Sequence, residues 1–348
     1  MNRIVVLIFV SLFVAGCQSS TAPDALAPNS ETPVPAPSPD STSAEQSGEP
    51  SEEEASPPVA EVEADTAVVS GPRYVIREQT KIIECGADPT AIQIEEVIRV
   101  YHAPTGTSCP EIEESDSVVV PLAGGEAVED EGFRFDPGGY AGPHKRIYRL
   151  PDGSYRMYFH TRFDAAKQGI GSAVSADGIN FTKEPGLRIS SKDAGFDAGV
   201  PLSPGDIVPT RDGRYRMYFS SLSWMGSGDL TFETVKSAVS DDLLTWTVEE
   251  GERLGGSSQI SGGEHPSAIA NPDGSVTLFY GRNINFALFY STSPDGLNFE
   301  KEERLIGATL DSTFLPQPDG TIIGFIGQRD DATGISSIDR VLLEPVEG

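Results

Sequence analysis

Several residue types and motifs are scarce or missing in this chain of 348 residues. It has three Cys, two Trp and four His, and no G-x-G-x-x-G, G-K-[ST], H-E-x-x-H or G-x-S-x-G motif. These absences argue against phosphate loops, zinc-protease helices and serine-hydrolase elbows, and they leave no local motif for a metal. No segment keeps the apolar spacing of a helix over several turns, which disfavours an α/β fold.

Positive charge is missing from residues 18–70. This segment contains nine Pro and eleven Asp or Glu, but no Lys, Arg or His. Such a composition cannot bury enough apolar surface to offset the entropy of ordering, so we predict a disordered tether. The formal charge of the whole chain is −28, and residues 71–348 retain −18. This balance argues against nucleic acid or an anionic lipid surface as a partner.

Residues 1–17 predict a signal peptide. Arg3 precedes an apolar run, IVVLIFVSLFV, that is too short to span a membrane as a stable helix. The run ends in Val14-Ala15-Gly16-Cys17, which resembles the lipobox of bacterial lipoproteins. The resemblance implies cleavage before Cys17 and a lipid anchor on that residue, and Gln18 implies the outer membrane of the cell envelope. The membrane face stays open, and a buried apolar strand is the alternative interpretation.

The other two cysteines are Cys85 and Cys109. In an oxidising envelope compartment a pair of cysteines is more often bridged than free. Neither thiol has a neighbouring base in the sequence, which argues against a catalytic cysteine. We therefore predict a disulfide between them.

One strand sequence occurs twice in this chain. PDGSYRMYFHTRF begins at Pro151 and RDGRYRMYFSSLS begins at Arg211. Asp-Gly pairs at Asp273 and Asp319 have the same setting, and each of these four pairs lies between two apolar runs. Two β-rich runs that flank Asp-Gly are typical of a hairpin.

A second turn follows three of these hairpins, with the pattern S-x-D-x-x-x-aromatic. Its members are Ser175, Asp177 and Phe181; Ser240, Asp242 and Trp246; and Ser293, Asp295 and Phe299. Asp stabilises such a turn through its own backbone, and the aromatic side chain packs back between sheets. Two hairpins per repeat make a four-stranded antiparallel sheet.

Repeated four-stranded units predict an all-β, five-bladed propeller over residues 71–348. Four blades carry the Asp-Gly hairpin, and ADPTAIQIEEVIRVYHA (87–103) supplies a fifth without it. Either RYVIREQTKII (73–83) or the terminal DRVLLEP would close the ring.

This arrangement resembles the five-bladed propellers of the arabinanase, levansucrase and invertase superfamily, which includes glycoside hydrolase family 43. The S-x-D turn is also similar to the Asp-box of sialidases, although it is one residue shorter. The resemblance to family 43 implies a carbohydrate partner and three acidic residues from successive blades: an Asp base, an Asp modulator and a Glu acid. An axial calcium ion is the cofactor that it implies, and the sequence demands no other.

Polar residues recur where the innermost strands of a propeller begin and where the next strands end. Both places open at the same mouth of the axial channel. The residues before the innermost strands are Asp88, His144, Asp206, Glu264, His265 and Asp311, and those that end the second strands are His102, Arg162, Arg282 and Arg329. Buried charges are costly unless paired, so a cluster of this kind favours a site at the mouth. The alternative is that the acids pair with the arginines and plug the channel.

Glycosidases place one protonated and one ionised carboxyl on either side of the bond that they cleave. We take Glu264 as the candidate acid, Asp206 as the modulator, and Asp88 or Asp136 as the base. His144, Arg162, His265, Arg282, Asp311 and Arg329 are the candidate substrate-binding residues. A metal ion would lie among His144, His265, Asp206 and Asp311, and histidines in such a set favour zinc over calcium.

Two other functions stay open. Arg162, Arg282 and Arg329 would clamp the carboxylate of an anionic sugar in a sialidase-like enzyme. Lipidation and a long tether also suit a surface glycan-binding or scaffold propeller without turnover. In each case we expect a monomer that meets the lipid bilayer through Cys17.

Overall fold

The computed structural model describes residues 72–103, 117–130, 135, 140–164, 167–222, 234–282, 286–307, 309–329 and 336–346. The predicted signal peptide with Cys17, the tether, Cys109 and Asp136 lie outside these residues, as does the side chain of Arg162. The disulfide between Cys85 and Cys109 therefore stays a prediction. No helix in the described part of the chain has the length and apolar character needed to cross a membrane.

The described residues form twenty-one strands in five antiparallel sheets, and they contain no helix. Blade 1 contains β2 (Ala87–Ile94), β3 (Val97–Ala103), β4 (Ser117–Pro121) and β5 (Val128–Glu129). Blade 2 contains β6 (Tyr140–Arg149), β7 (Tyr155–Asp164) and β8 (Lys167–Ser175), with β9 (Thr182–Lys183) and β10 (Ile189–Ser190) both on β8. Blade 3 contains β11 (Leu202–Pro209), β12 (Tyr215–Ser221), β13 (Val235–Ser240) and β14 (Thr247–Val248). Blade 4 contains β15 (Glu264–Ala270), β16 (Val276–Arg282), β17 (Ala287–Ser293) and β18 (Glu303–Gly307).

Blade 5 closes the ring with strands from both ends of the described chain. Its order is β19 (Thr309–Pro316), β20 (Ile322–Arg329), β21 (Ser336–Val346) and β1 (Arg73–Ile83). β1 pairs with β21 from Arg73 opposite Val346 to Ile83 opposite Ile338. Both sequences considered for closure thus lie in the same sheet, with β1 at its outer edge. The five innermost strands contact one another around the axis, which confirms the predicted five-bladed propeller.

The Asp-Gly hairpins have the local chemistry that the sequence predicts. In blade 2, Gly153 has a φ of 89°, and the Asp152 carboxylate accepts a hydrogen bond from the Ser154 amide at 2.9 Å. A left-handed φ costs glycine little, which explains why glycine recurs at this place in blades 2 to 5. Blade 1 makes the corresponding turn at Glu95, whose φ is 54°.

The three S-x-D turns are also stabilised by their own side chains. Oδ1 of Asp177 accepts hydrogen bonds from the amides of Ile179 and Asn180, both at 2.8 Å, and from the Ser175 hydroxyl at 2.7 Å. The other two turns repeat this pattern around Asp242 and Asp295. The prediction of Asp-stabilised turns is therefore confirmed.

Each S-x-D turn is bound by a tyrosine from the preceding blade. The hydroxyl of Tyr101 donates to the carbonyl of Gly178 at 2.7 Å, and that of Tyr218 donates to Gly296 at 2.7 Å. Tyr158 makes the equivalent bond to Leu243. The aromatic side chain of each turn packs edge-on against the same tyrosine, with ring centroids 5.8–6.1 Å apart. We call this contact the tyrosine latch.

Arginines of the repeated YRMYF strands reinforce two of the latches. Arg156 forms an ion pair with Glu184 of its own blade at 2.8 Å and donates to the Leu243 carbonyl at 2.9 Å. Arg216 pairs with Glu249 at 2.7 Å and donates to the Asp295 carbonyl at 2.8 Å. The two copies of the strand therefore perform the same task, which is to hold the next blade.

The hydrophobic core consists of five layers, one between each pair of neighbouring blades. In the layer between blades 3 and 4, for example, Tyr218 packs with Leu278 and Tyr280. The N-terminal strand contributes Tyr74 to the layer between blades 4 and 5. Because every layer needs two blades, no blade buries its apolar faces alone.

The latch predicts a specific loss of stability. We expect Tyr218→Phe to lower the free energy of unfolding by about 1 to 3 kcal/mol, because the buried carbonyl of Gly296 loses its donor while the ring stays in place. Tyr215→Phe is the matched control on the same strand, and it should change the value by less than about 0.5 kcal/mol. Urea unfolding of both variants measures the difference, and equal losses would contradict the role of the latch.

Candidate functional site

Every innermost strand is irregular at the same end. The pairing register shifts between Ala87 and Thr90, Ala141 and Lys145, Pro204 and Ile207, Glu264 and Ser267, and Thr309 and Ser312. A β-bulge of this kind bends the strand and redirects a side chain, and bulges are frequent beside active sites. The five bulges surround the axis and lie at the positions where the sequence predicts polar residues.

Four of these polar residues form one group, three of them buried and one partly exposed, which we call the axial tetrad. It consists of Asp88, His144, His265 and Asp311, and one ligand atom from each lies within 4.8 Å of the others. Asp88 and His265 have left-handed backbone conformations, with φ values of 52° and 50°. This conformation is uncommon for residues other than glycine, although Asp, Asn and His tolerate it best.

The members of the axial tetrad contact one another in two pairs. Nδ1 of His144 lies 2.9 Å from Oδ1 of Asp88, and Nδ1 of His265 lies 3.1 Å from Oδ1 of Asp311. The two imidazole rings join the pairs, with centroids 4.3 Å apart. Glu264 is fully buried next to the tetrad, with Oε1 3.7 Å from Nε2 of His265.

Burial and mutual electrostatics shift the pKa values of the tetrad residues in different directions. Burial alone would raise the pKa of Asp88, but the charge and hydrogen bond of His144 outweigh burial and hold that pKa far below its usual range. Burial, and then the carboxylate of Asp88, raise the pKa of Asp311. Burial and the charge of His144 lower the pKa of His265. The environment thus shifts the pKa values of two neighbouring carboxyl groups in opposite directions.

Asp206 belongs to a second layer rather than to the tetrad. His144, His265 and Asp311 each precede the glycine of their Asp-Gly turn by nine residues, whereas Asp206 precedes Gly213 by seven. Side chains two residues apart lie on the same face of a strand, about 6.6 Å further along it. The predicted metal group was therefore wrong in one member: Asp88, not Asp206, joins the two histidines and Asp311.

Asp206 is fully engaged within its own layer. Its carboxylate accepts hydrogen bonds from the Ser267 hydroxyl and from the Ala268 amide, the latter at 3.2 Å. Nε of Arg146 lies 3.5 Å from its other oxygen. Burial raises the pKa of Asp206 against the opposing effect of Arg146 and these donors. This environment suits a residue that supports the mouth better than one that reacts there.

The predicted arginines occupy different environments. Arg282 is held by Glu302, with Nη2 2.6 Å from Oε2, and its guanidinium lies over the Phe289 ring. Arg329 is exposed at the end of β20, with its guanidinium 5.3 Å from the ring centroid of Phe286. Arg329 is thus the candidate that faces the mouth, and Arg162 lies on β7 with its side chain outside the described residues. His102 is buried near the end of β3.

A small cavity opens beside the tetrad. It has a volume of about 130 Å³ and is lined by Asp311, Gln328, Arg329 and Phe286, among others. Phe286 is 37% exposed and has a φ of 42°. A large side chain in this conformation is an outlier, and strained residues of this kind cluster at functional sites.

The sequence analysis did not identify Phe286, Gln328, Arg146 or Ser267. Phe286 follows the end of β16 without any repeated pattern around it, so nothing in the chain singled it out. Arg146 and Ser267 were detectable, because both precede the glycine of their turn by seven residues, as Asp206 does.

No protein-family model matches the sequence, and no curated protein matches it. Solved structures do match. A GH43 β-xylosidase/α-arabinofuranosidase from a compost microbial metagenome, in complex with xylotriose and calcium-free, is 16% identical with a TM-score of 0.54, and 78% of this chain covers 95% of it. A GH43 enzyme from Xanthomonas citri complexed with xylose is 15% identical with a TM-score of 0.55, covering 77% of this chain and 90% of that one. An endo-arabinase from Bacteroides thetaiotaomicron is 13% identical with a TM-score of 0.53, covering 77% and 95%.

The fold is a glycosidase-like five-bladed propeller. Identities of this order establish the architecture alone, since one fold serves many functions. The predicted resemblance to the propellers of glycoside hydrolase family 43 is confirmed at this level. The roles assigned to individual residues stay predictions.

The two layers of the site depend on one close approach between blades. A Cβ atom on Gly205 would lie 2.5 Å from the Pro266 carbonyl oxygen and 2.7 Å from that of Tyr218. We expect Gly205→Ala to lower the free energy of unfolding by about 1 to 3 kcal/mol, because β11 and β15 would have to separate. Gly199→Ala is the control, since a Cβ there meets nothing within 4 Å. Thermal and urea unfolding measure both, and a neutral Gly205→Ala would show that the strands do not need this contact.

Proposed function

We propose that this protein binds a glycan at the axial mouth of the propeller, as a lipid-anchored protein of the bacterial cell envelope. The observation that carries the proposal is the cavity beside Asp311, where an exposed aromatic ring, a guanidinium and a carboxyl group converge. Concave sites with a few convergent polar groups are typical of small-ligand binding. Related propellers hold xylotriose or xylose, which supports a sugar as the ligand.

Phe286 supplies the surface on which a sugar ring would rest. The C–H face of a pyranose is apolar and packs against an aromatic face, while its hydroxyl groups need donors and acceptors at the edge. Gln328 provides a donor beside the ring, Arg329 provides a guanidinium over one of its faces, and Asp311 provides a carboxyl group. The strained backbone of Phe286 fits a residue with a functional position at the mouth.

Cleavage of the glycan is a separate matter, and the geometry supports binding more directly. Glu264 is fully buried, and Asp206 is held by three donors. Of the two candidate bases, Asp88 contacts His144, and Asp136 lies outside the described residues. Glu264 remains our candidate for the acid if turnover occurs.

A panel of oligosaccharides tests the proposal. It contains xylo-oligosaccharides, arabino-oligosaccharides and sialylated oligosaccharides, so that neutral and anionic sugars are compared. We expect saturable binding of at least one of them by calorimetry. Preferential binding of the sialylated members would support the sialidase-like alternative, and the absence of binding to a broad glycan array would overturn the proposal.

The ring of Phe286 should account for much of the affinity. We expect Phe286→Ala to weaken binding of the best oligosaccharide at least about tenfold, because aromatic stacking is worth on the order of 1 kcal/mol or more. Val128→Ala is the control, because Val128 is exposed on an outer strand of blade 1. Equal effects of both variants would place the sugar elsewhere. If chromatography of the wild-type incubation shows products, Glu264→Gln should abolish them and keep binding.

The lipid anchor is tested independently. Cells that express the full chain should incorporate labelled palmitate into it, and Cys17→Ser should abolish the label and release the protein from the membrane fraction. Cys85→Ser is the matched control and should keep the label. Incorporation that persists in Cys17→Ser would contradict the anchor.

A further inference from the structure

The axial tetrad has the composition of a metal site. It brings two imidazoles and two carboxyl groups from four different blades to within 4.8 Å of one another. Ligand atoms around a tetrahedral ion with bonds of about 2.0 to 2.2 Å lie roughly 3.3 to 3.6 Å apart. Separations of up to 4.8 Å exceed this spacing, so the side chains would have to close around an ion. Nδ1 of His144 and Nδ1 of His265 lie 2.9 Å and 3.1 Å from the carboxylates, which leaves Nε2 of His144 as a nitrogen open to an ion.

Buried polar atoms at the tetrad lack hydrogen bonds. Nε2 of His144 has no hydrogen-bond partner among the described residues, although His144 is only 4% exposed. Oδ1 of Asp311 also lacks one, despite its approach to His265. Unsatisfied polar groups in a protein interior are costly, and an unplaced ion or water is a usual explanation. This observation is independent of the clustering of the four residues.

The donor set does not fit the calcium ion that the family-43 resemblance implies. Calcium takes six to eight oxygen ligands, whereas the tetrad presents two nitrogens and two carboxyl groups. Blade 3 is the one blade outside the tetrad, and its corresponding residue is Pro204, nine residues before Gly213, whose side chain has no donor atom. Imidazole nitrogens together with carboxylate oxygens suit zinc and other divalent transition metals.

The surrounding charges also permit a divalent cation. The charge of Arg146 reaches all four members of the tetrad, but its guanidinium contacts groups of the adjoining layer, Asp206 at 3.5 Å and the Ser312 carbonyl at 2.8 Å. Glu264 adds a further buried carboxyl group, with Oε1 3.7 Å from Nε2 of His265, and its negative charge favours a cation at the tetrad.

From these observations we propose that Asp88, His144, His265 and Asp311 bind one divalent transition-metal ion, such as zinc, on the propeller axis. The ion would join blades 1, 2, 4 and 5 at their common centre. This proposal does not depend on glycan binding.

The test uses the full-length protein after treatment with a chelator, titrated separately with Zn²⁺ and with Ca²⁺ by calorimetry. We expect one Zn²⁺ per chain, bound at least about 100-fold more tightly than Ca²⁺. Elemental analysis of the reloaded protein gives the stoichiometry, and the melting temperature should rise with Zn²⁺. Failure to bind Zn²⁺ stoichiometrically, or tighter binding of Ca²⁺, would overturn the proposal.

Two variants locate the ion. Asp311→Asn removes a charged ligand, and His265→Asn removes an imidazole while keeping a residue that tolerates the left-handed backbone. Each should weaken Zn²⁺ binding at least about tenfold. Asp206→Asn is the matched control, because it changes an axial carboxylate outside the tetrad, and it should keep the affinity. Circular dichroism confirms that each variant is folded. Unchanged binding in both folded tetrad variants would place the zinc elsewhere and refute the site.

Discussion

The bond between a tyrosine hydroxyl and the backbone of the next blade is the contact on which this propeller depends. A blade of four short strands buries little by itself, so its stability comes from the layer that it shares with its neighbour. The tyrosine latch fixes that layer, since Tyr101, Tyr158 and Tyr218 each bind a carbonyl of the following S-x-D turn and pack against its aromatic ring. The duplicated YRMYF strand is therefore an element of assembly, repeated because the same joint is made more than once.

The repeated packing of the blades brings different polar residues together at the centre of the ring. Because the innermost strands pack against one another in a closed ring, their five bulges lie together at the axis, with polar side chains at the same level. The scaffold repeats, whereas the residues at the bulges differ. One level contains two Asp and two His, and the next contains Arg146, Asp206 and Ser267. The level of Asp206 is connected within itself, whereas the tetrad keeps buried polar atoms without hydrogen bonds, which we assign to an ion.

The blades were predictable from the sequence because their turns depend on local chemistry. The turns at Asp152-Gly153 and Ser175-Ala176-Asp177 are stabilised by hydrogen bonds between residues that are close in sequence. The sequence alone therefore reveals them. The site was less predictable, because its residues meet only after the ring has closed. Asp206 was assigned to the wrong layer through a two-residue difference in distance to its turn. Phe286 is positioned by an irregular backbone conformation after the end of a strand, and no repeated sequence pattern predicts it.

Pro204 takes the place in blade 3 that an ionisable residue holds in the other four blades. The pseudo-fivefold symmetry of the scaffold therefore ends at its own axis, where four polar corners face one apolar corner. The charges at this centre are therefore distributed unevenly around the axis. An ion held there would be drawn away from blade 3 toward the carboxyl groups of blades 1 and 5, and Asp311 of blade 5 also lines the cavity. The nearly symmetric propeller therefore has an asymmetric centre.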